Sequence, residues 1–233
     1  MCGRYSITTA PEAIRRLFDV NDRVNVEPRY NLAPLQMAPV IRTRDGARHL
    51  DMLRWGLVPK WAKDETMASR MINARSETVT VKPSFRSAFS RRRCLVPSDG
   101  FYEWRVIDDV KQPYRICLRD SDLFAFAGLW ESWQRPNEPE EPLVETFTIL
   151  TIDATPEIAH IHPRMPVMLA ASEDHDTWLT GTDQEATDLL RPFQGEGLAT
   201  YEISTRVGNV RNDDADIIEP LAGLAQPRQP RLL

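Results

Sequence analysis

Short runs of apolar residues, many of them alternating with polar ones, predict a protein built mainly from β-strands. Residues 37–43 and 49–55 are strand-like and flank Asp45-Gly46, a dipeptide typical of tight hairpins. The other strand-like runs are residues 94–105 (interrupted at Pro97 and Gly100), 114–119, 123–129, 146–152 and 200–204. Because strands outnumber helices and are often joined as hairpins, the sequence predicts an α+β fold with mainly antiparallel pairing.

Helical periodicity is confined to short segments. Residues 11–18 place apolar side chains on one helical face and have a proline in the tolerated first turn. The other predicted helices are residues 83–93, 155–160, 173–179 and 184–190. Residues 29–34 follow neither the helical nor the strand period, and they are predicted to form an ordered loop.

The chain of 233 residues is long enough for one domain with a substantial core. Residues 1–218 show no internal repeat and no domain boundary, so they are predicted to form a single domain. Residues 219–233 are rich in Pro, Arg and Gln and are predicted to be a disordered tail.

Composition and charge exclude several classes of function. The chain has no apolar run long enough to cross a membrane and no signal-peptide pattern, so no membrane association is expected. Three scattered cysteines (Cys2, Cys94 and Cys117) are too few for a disulfide framework or a zinc site, which favours a reducing cytosol without a metal. The net charge of −5 still permits a local basic groove, because phosphate contacts need clustered cations rather than a basic total.

The second residue carries the most distinctive chemistry of the chain. Cys2 is small enough for Met1 to be removed, by an aminopeptidase or by the protein itself. The product has a free α-amine with a reference pKa of about 8 and a thiol with one of about 8.5, so both are partly nucleophilic at neutral pH. The amine can form a Schiff base with an aldehyde, and the thiol can then close on the imine carbon to give a thiazolidine. The alternative is that Cys2 is simply a small residue after Met1.

Three further stretches combine polar chemistry with extended or aromatic sequence. Trp55 and Trp61 bracket a Gly/Pro turn, and they form either a stacking platform for bases or ordinary core and rim packing. Polar side chains alternate over residues 73–77 and would share one face of an extended segment. Glu103 lies between two aromatic residues, where a carboxyl group can be desolvated and its pKa raised towards neutrality.

Six motifs along the chain are together similar to one family. They are residues 2–5 (CGRY), 29–34 (RYNLAP), 55–59 (WGLVP), 72–77 (INARSE), 94–104 (CLVPSDGFYEW), and His162 with 164–166 (RMP). In this order they resemble the SOS response-associated peptidase (SRAP) family, from Cys2 to about Thr205. One departure is Pro163, where the family usually has Asp between the histidine and the arginine.

The resemblance implies a barrel-like β core flanked by short helices, and a role in the response to DNA damage. It implies capture of abasic sites in single-stranded DNA as a covalent crosslink through Cys2. The ring-opened abasic site carries an aldehyde at C1′, which is the electrophile that an aminothiol captures. By resemblance, Asn73 positions the Cys2 amine and Glu103 is the general acid/base for forming and reversing the Schiff base. His162 would exchange a proton with the sugar O4′.

The resemblance also implies the DNA contacts and the setting. Arg4, Arg75 and Arg164 are the predicted phosphate ligands, because guanidinium groups match phosphate oxygens. Trp61 and Trp104 are predicted to stack on the bases beside the lesion or to wedge between them. No cofactor and no metal are implied, and the site is expected to release the first methionine autoproteolytically. The expected partner is abasic single-stranded DNA, bound by a cytoplasmic monomer that is nucleoid-associated if bacterial.

Other interpretations remain open. Taken singly, Asn73 could cap a turn, Glu103 could form a structural ion pair, and His162 could be a core histidine. Taken together, the residues could belong to an N-terminal-cysteine amidotransferase, a cysteine peptidase acting on other proteins, or a non-enzymatic single-strand-binding module. Amidotransferases normally continue with an apolar run after the glycine, whereas Arg4 follows here, and they carry a further domain for which this chain is too short.

Overall fold

The computed structural model describes residues 2–119, 123–136, 138–194 and 197–221. Most of the predicted tail, residues 222–233, lies outside the described residues, so its disorder stays a prediction. Among the described residues, no helix combines the length and the apolar character needed to cross a membrane.

Strands dominate the described chain, as predicted, and the helices are short. The strands are β1 (Tyr5–Ile7), β2 (Arg29–Leu32), β3 (Met37–Arg44), β4 (Ala47–Trp55), β5 (Asn73–Arg75), β6 (Arg93–Ser98), β7 (Gly100–Ile107), β8 (Val110–Leu118), β9 (Phe124–Trp133), β10 (Val144–Asp153), β11 (Arg164–Pro166), β12 (Met168–Leu169) and β13 (Leu198–Glu202). The α-helices are α1 (Pro11–Phe18), α2 (Arg86–Arg91), α3 (Pro156–Ala159), α4 (Ser172–Thr180) and α5 (Asp183–Asp188). Short 3₁₀ helices cover Glu65–Arg70, Ser76–Thr78, Thr205–Gly208 and Ala215–Ile218.

The strands form two sheets. The 5-stranded sheet has the order β13-β8-β7-β1-β2, and the 8-stranded sheet has the order β11-β10-β4-β3-β6-β9-β12, with β5 added to β10. Because β10 pairs with β9 as well as with β4, the strands β10, β4, β3, β6 and β9 close into a ring. Only the pairings of β10 with β4 and with β5 are parallel among the described residues. The predicted α+β fold with mainly antiparallel sheets is confirmed.

Aromatic side chains from both sheets meet in the core between them. Tyr5 of β1 makes edge contacts with Trp55 and Phe126 of the ring, at 5.2 and 5.7 Å between ring centroids. Phe101 of β7 also meets Phe126 edge-on, at 5.9 Å. All four side chains are fully buried, and each contributes about 2 kcal/mol or more through loss of apolar surface to water. These contacts fix β1 and β7, the two strands next to the N-terminal cysteine, against the ring.

Residues 29–34 do not form the loop that the sequence predicts. Arg29–Leu32 is strand β2, which pairs antiparallel with β1. The carboxylate of Asp213 accepts the backbone N–H groups of Tyr30 and Asn31, at 2.6 and 2.8 Å. The strand therefore depends on partners far away in the chain rather than on a local periodic pattern.

The helix predicted over residues 83–93 is shorter in the structure, where α2 ends at Arg91. Arg93 belongs to β6 and is buried. Its guanidinium donates to the carbonyl oxygens of Trp178 and Phe89, at 2.5 and 2.8 Å. This arginine is thus a structural residue, and the consecutive arginines at positions 91–93 do not form an exposed basic cluster.

Gly56, directly after β4, occupies a position that only glycine fits. Its φ is +126°, and a Cβ there would lie 2.6 Å from the carbonyl oxygen of Ala68. Gly56→Ala is therefore expected to destabilise the fold by about 3 kcal/mol or more, measured as a lower urea midpoint. Gly46→Ala is the control, because Gly46 has a φ of +78° but nothing within 4 Å, and only about 1 kcal/mol of backbone strain is expected. Equal losses in the two variants would contradict the proposed close contact.

Candidate active site

The pairing of β1 with β7 carries Cys2 towards Glu103. Tyr5 lies opposite Phe101, and the N–H of Tyr102 donates to the carbonyl oxygen of Arg4 at 3.0 Å. The antiparallel register therefore continues beyond the end of β1, in the direction of Cys2 and of Glu103. The two are close enough for the carboxylate of Glu103 to raise the pKa of the Cys2 thiol, after the larger effect of burial.

Strand β5 brings Asn73 to the backbone of Cys2. Asn73 lies beside Ile149 in the parallel pairing of β5 with β10. Its Nδ2 donates to the carbonyl oxygen of Cys2 at 2.8 Å. Its Oδ1 is buried and accepts no hydrogen bond from any residue in the described ranges. Asn73 therefore fixes the Cys2 carbonyl and holds an unused acceptor on the same side chain.

Glu103 and His162 form the ionisable pair of the site. The Nδ1 atom of His162 lies 4.0 Å from Oε1 of Glu103. Burial raises the pKa of Glu103, which is 3% exposed, to about 7. Burial also lowers the pKa of His162 below its ordinary value. Near neutral pH, Glu103 therefore populates both protonation states, as a group that both donates and accepts protons requires.

The loop between α3 and β11 holds His162. The N–H of His162 donates to the carbonyl oxygen of Ile158 at 3.2 Å, and the N–H of Arg164 donates to Nδ1 of His162 at 3.0 Å. The carbonyl oxygen of Pro163 accepts the N–H of Ala154 at 2.9 Å. With proline at this position, the loop thus stays attached to the end of β10.

Reference pKa values predict a partly ionised Cys2 thiol, but the environment of this thiol in the structure disfavours ionisation. Cys2 is fully buried in the chain that still begins with Met1, and burial raises the pKa of its thiol well above the ordinary value. The sequence-based prediction concerns the chain without Met1 and uses the value of an exposed thiol, which leaves out the cost of desolvating a thiolate. The thiol therefore needs a base before it can attack, and Glu103 is the carboxylate whose charge affects the thiol pKa.

Two of the predicted phosphate ligands, Arg75 and Arg164, lie in different environments. Arg75 is exposed at the end of β5, and its guanidinium forms no hydrogen bond or ion pair with any residue in the described ranges. Arg164 is paired with Glu77 and with Asp153, the latter at 2.7 Å, and it donates to the carbonyl oxygen of Thr151 at 2.7 Å. The structure therefore leaves Arg75 free to bind an anion, whereas Arg164 is largely neutralised by carboxylates.

Arg4, the third predicted phosphate ligand, is occupied by contacts within the protein. Its guanidinium donates to Oδ1 of Asn31 and to the carbonyl oxygen of Val207, each at 2.8 Å. Asn31 is fully buried and donates in turn to carbonyl oxygens in residues 207–212. Sequence reasoning gave Asn31 no role, and no local signal could have done so, because its partners lie more than 170 positions away.

The predicted stacking residues differ in accessibility. Trp61 is 56% exposed, whereas Trp55 is fully buried and donates its Nε1–H to the carbonyl oxygen of Ile72 at 2.8 Å. The two tryptophans therefore form no shared exposed platform. Trp104 is half-buried and packs against an apolar cluster that includes Val207. Trp61 presents most of its surface to solvent, and Trp104 presents only part.

Comparison with known proteins covers nearly the whole chain. The model of a family described as SOS response associated peptidase (SRAP) matches residues 1–210. The chain is 39% identical over 226 residues to the abasic site processing protein YoqW of Bacillus subtilis, covering 94% of this chain and 99% of that protein. It is 33% identical over 266 residues to the abasic site processing protein HMCES of Gallus gallus, covering 95% of this chain and 78% of that protein.

A solved structure supports the same relationship. The crystal structure of a protein from Bacteroides thetaiotaomicron matches with a TM-score of 0.85 and 28% sequence identity, covering 94% of this chain and all of that one. The likeness therefore includes the fold and the sequence together. The chain belongs to the SOS response associated peptidase (SRAP) family.

Proposed function

We propose that this protein processes abasic sites in DNA, as part of the response to DNA damage, by capturing them covalently through the amine and thiol of Cys2. Similar proteins from Bacillus subtilis and Gallus gallus are named abasic site processing proteins. One observation carries the proposal for this chain. The second residue is enclosed, with Asn73 bound to its carbonyl oxygen and with a carboxyl group of pKa about 7 near enough to raise the pKa of its thiol.

Removal of Met1 creates the attacking amine. The carbonyl oxygen of Cys2 is already held by Nδ2 of Asn73, and the unused Oδ1 of that side chain is a suitable acceptor for an amine N–H. An unsatisfied buried acceptor costs about 1–3 kcal/mol, so pairing it with the new amine stabilises the processed form. We infer that the site releases Met1 itself. Glu103 takes the thiol proton of Cys2, the sulfur attacks the carbonyl carbon of Met1, and the Met1–Cys2 C–N bond breaks as the leaving amine takes that proton. Water then hydrolyses the thioester and releases Met1.

Schiff-base formation joins the amine nitrogen to C1′ of the ring-opened sugar. His162, kept neutral by its lowered pKa, carries one N–H and one lone pair, so it can exchange a proton with O4′ as the ring opens. The amine adds to the aldehyde carbon and gives a carbinolamine. Protonated Glu103 then donates its proton to the hydroxyl group, which leaves as water, and the C=N bond forms.

Ring closure makes the crosslink stable. The carboxylate of Glu103, left by the previous step, accepts the thiol proton, and the sulfur bonds to the imine carbon. The π electrons of the iminium C=N bond move to nitrogen, which keeps its one hydrogen and becomes a neutral secondary amine. The thiazolidine contains no imine, so β-elimination of the 3′ phosphate is suppressed. One carboxyl group thus serves consecutive steps in opposite directions, which requires a pKa near the working pH.

Arg75 is the phosphate ligand that the structure favours, because its guanidinium is exposed and unpaired within the described residues. Arg75→Ala is expected to weaken noncovalent binding of single-stranded DNA and to reduce the slope of log K against log salt by about 0.7. Arg16→Ala is the control, since Arg16 is equally exposed but lies on α1. A slope unchanged from the wild type in Arg75→Ala would remove this residue from the DNA contacts.

A crosslinking experiment tests the proposed function. The purified protein is mixed with a single-stranded oligonucleotide that contains one abasic site, and the products are separated on a denaturing gel after heating. The control oligonucleotide carries a tetrahydrofuran residue, which has no C1′ hydroxyl group and cannot open to an aldehyde. A heat-stable band with the abasic oligonucleotide alone is expected. Retarded bands with both oligonucleotides, or with neither, would overturn the proposal.

A further inference from the structure

The turn that follows β13 lies beside the candidate site. Arg4, from the N-terminal motif, donates to the carbonyl oxygens of Val207 and Gly208, at 2.8 and 3.3 Å. Val207 also belongs to the apolar cluster against which Trp104 packs, and Trp104 is the immediate neighbour of Glu103. Because side chains alternate along β7, Trp104 points to the face opposite to Glu103. The two contacts thus place residues 208–211 beside the backbone segments that carry Cys2 and Glu103.

Several hydrogen bonds fix the conformation of residues 206–212, although this turn is largely exposed. The N–H of Asn209 donates to the carbonyl oxygen of Arg206 at 3.1 Å, and its Oδ1 accepts the N–H of Arg211 at 3.1 Å. The side chain of the fully buried Asn31 donates to three carbonyl oxygens of the turn, at 2.7 to 3.1 Å. The turn is therefore rigid, and a ligand that bound it would pay little ordering entropy.

The outer side of this turn presents donors without partners. Residues 208–211 are all exposed. Arg211 forms no ion pair with any residue that the structure describes, whereas the nearby Arg206 is paired with Asp214 at 2.7 Å. The backbone N–H of Val210 likewise donates to no described residue. One free guanidinium beside a free backbone N–H is a donor set that suits phosphate oxygens.

The acidic residues that follow the turn do not cancel its charge. Asp213 accepts the backbone N–H groups of β2 and pairs with Arg29 at 2.5 Å. Asp214 pairs with Arg206. Asp216 lies 3.7 Å from the same Arg206. Because all three carboxylates lie against other cations, Arg211 keeps its positive charge available to an anion.

We propose that residues 208–211 form a second phosphate-binding edge of the DNA site, in which Arg211 holds the single strand on one side of the lesion. This inference rests on the proposed function, because it assumes that the strand passes Cys2. It adds Arg211 to the DNA contacts and gives Arg4 a different role from the one predicted. Arg4 positions the turn by holding the carbonyl oxygens of Val207 and Gly208, while Arg211 contacts the DNA.

The test measures noncovalent binding of an intact single-stranded oligonucleotide at several salt concentrations. Arg211→Ala is expected to weaken binding and to lower the slope of log K against log salt by about 0.7, the value for one phosphate contact on a single strand. Arg16→Ala, which removes the same charge from α1, is expected to leave the slope unchanged. Arg211 is exposed and outside the catalytic groups, so thermal unfolding of the variant should match the wild type.

A wild-type slope in Arg211→Ala, or an equal loss in Arg211→Ala and Arg16→Ala, would overturn the inference. The intact oligonucleotide separates this test from the chemistry at Cys2. If the wild type binds DNA but fails to crosslink an abasic oligonucleotide, the proposed function fails and the salt slopes still decide the role of Arg211. If the wild type crosslinks and Arg211→Ala keeps the full slope, only the phosphate-binding edge is wrong.

Discussion

Replacing Cys2 by serine is expected to abolish the heat-stable crosslink and to leave an imine that borohydride traps. The variant lacks the thiol proposed to release Met1, so its Met1 is removed with an aminopeptidase before the assay. It then keeps the α-amine but has no sulfur to close the ring. The imine then stays open to hydrolysis and to β-elimination of the 3′ phosphate. Denaturing gels run after heating, with and without borohydride, measure both products, and nicking of the oligonucleotide is expected to exceed that of the wild type.

Cys117→Ser is the matched control for this experiment, because Cys117 is also a buried cysteine but lies on β8. Its crosslinks are expected to be as stable to heat as those of the wild type. Crosslinks of wild-type stability in Cys2→Ser would exclude the thiazolidine, and another nucleophile, such as a lysine, would have to be sought.

In protein whose Met1 has been removed by an aminopeptidase, Glu103→Gln is expected to slow capture and reversal together, each by about 10²–10⁴-fold, because one group transfers the proton in both directions. The wild-type capture rate should rise with pH as the amine, of reference pKa about 8, loses its proton. It should fall as Glu103, whose pKa is about 7, loses the proton needed to expel water. The wild-type profile therefore has a maximum between about pH 7 and 8, and the variant should lose the alkaline limb. A variant with the wild-type profile would show that Glu103 is not the proton donor.

The same carboxyl group makes the stability of the fold depend on pH. Burial raises its pKa from 4.5 to about 7, so in this interval the folded state keeps a proton that the unfolded state has lost. The contribution of the Glu103 carboxyl group to the free energy of unfolding is fully present below about pH 4.5. It declines, by on the order of 3 kcal/mol, as the pH rises to about 7. Glu103→Gln should remove this decline in urea unfolding at about pH 5 and 8. An identical pH dependence in variant and wild type would mean that Glu103 is not desolvated.

The elements that the sequence predicts well are those with local signals. Met37–Arg44 and Ala47–Trp55 are strand-like runs that flank an Asp-Gly turn, and they form the β3–β4 hairpin. The interruption at residues 97–100 also appears, between β6 and β7. By contrast, β2 has no periodic pattern and is held by Asp213, which is far away in the chain. Pairing of this kind leaves no trace in the local sequence.

The residues of the candidate site also fall into those whose properties the local sequence predicts and those whose properties depend on distant partners. The chemistry of Cys2 follows from its position in the chain, and the raised pKa predicted for Glu103 from its apolar neighbours is confirmed. The environments of the arginines were not predictable, because Arg4 is held by Val207 and Arg164 by Glu77, both distant in sequence. The burial that suppresses ionisation of the Cys2 thiol likewise depends on how the two sheets meet.

Intact mass spectrometry of the purified chain, alone and after mixing with an abasic single-stranded oligonucleotide, tests the central claim most directly. The account predicts a free protein that lacks Met1 and an adduct whose mass is the sum of protein and oligonucleotide minus one water. Loss of one water is required because the amine nitrogen replaces the aldehyde oxygen, and ring closure by sulfur changes no atoms. A covalent adduct on a chain that retains Met1 would contradict the account, since the amine would then be blocked by a peptide bond.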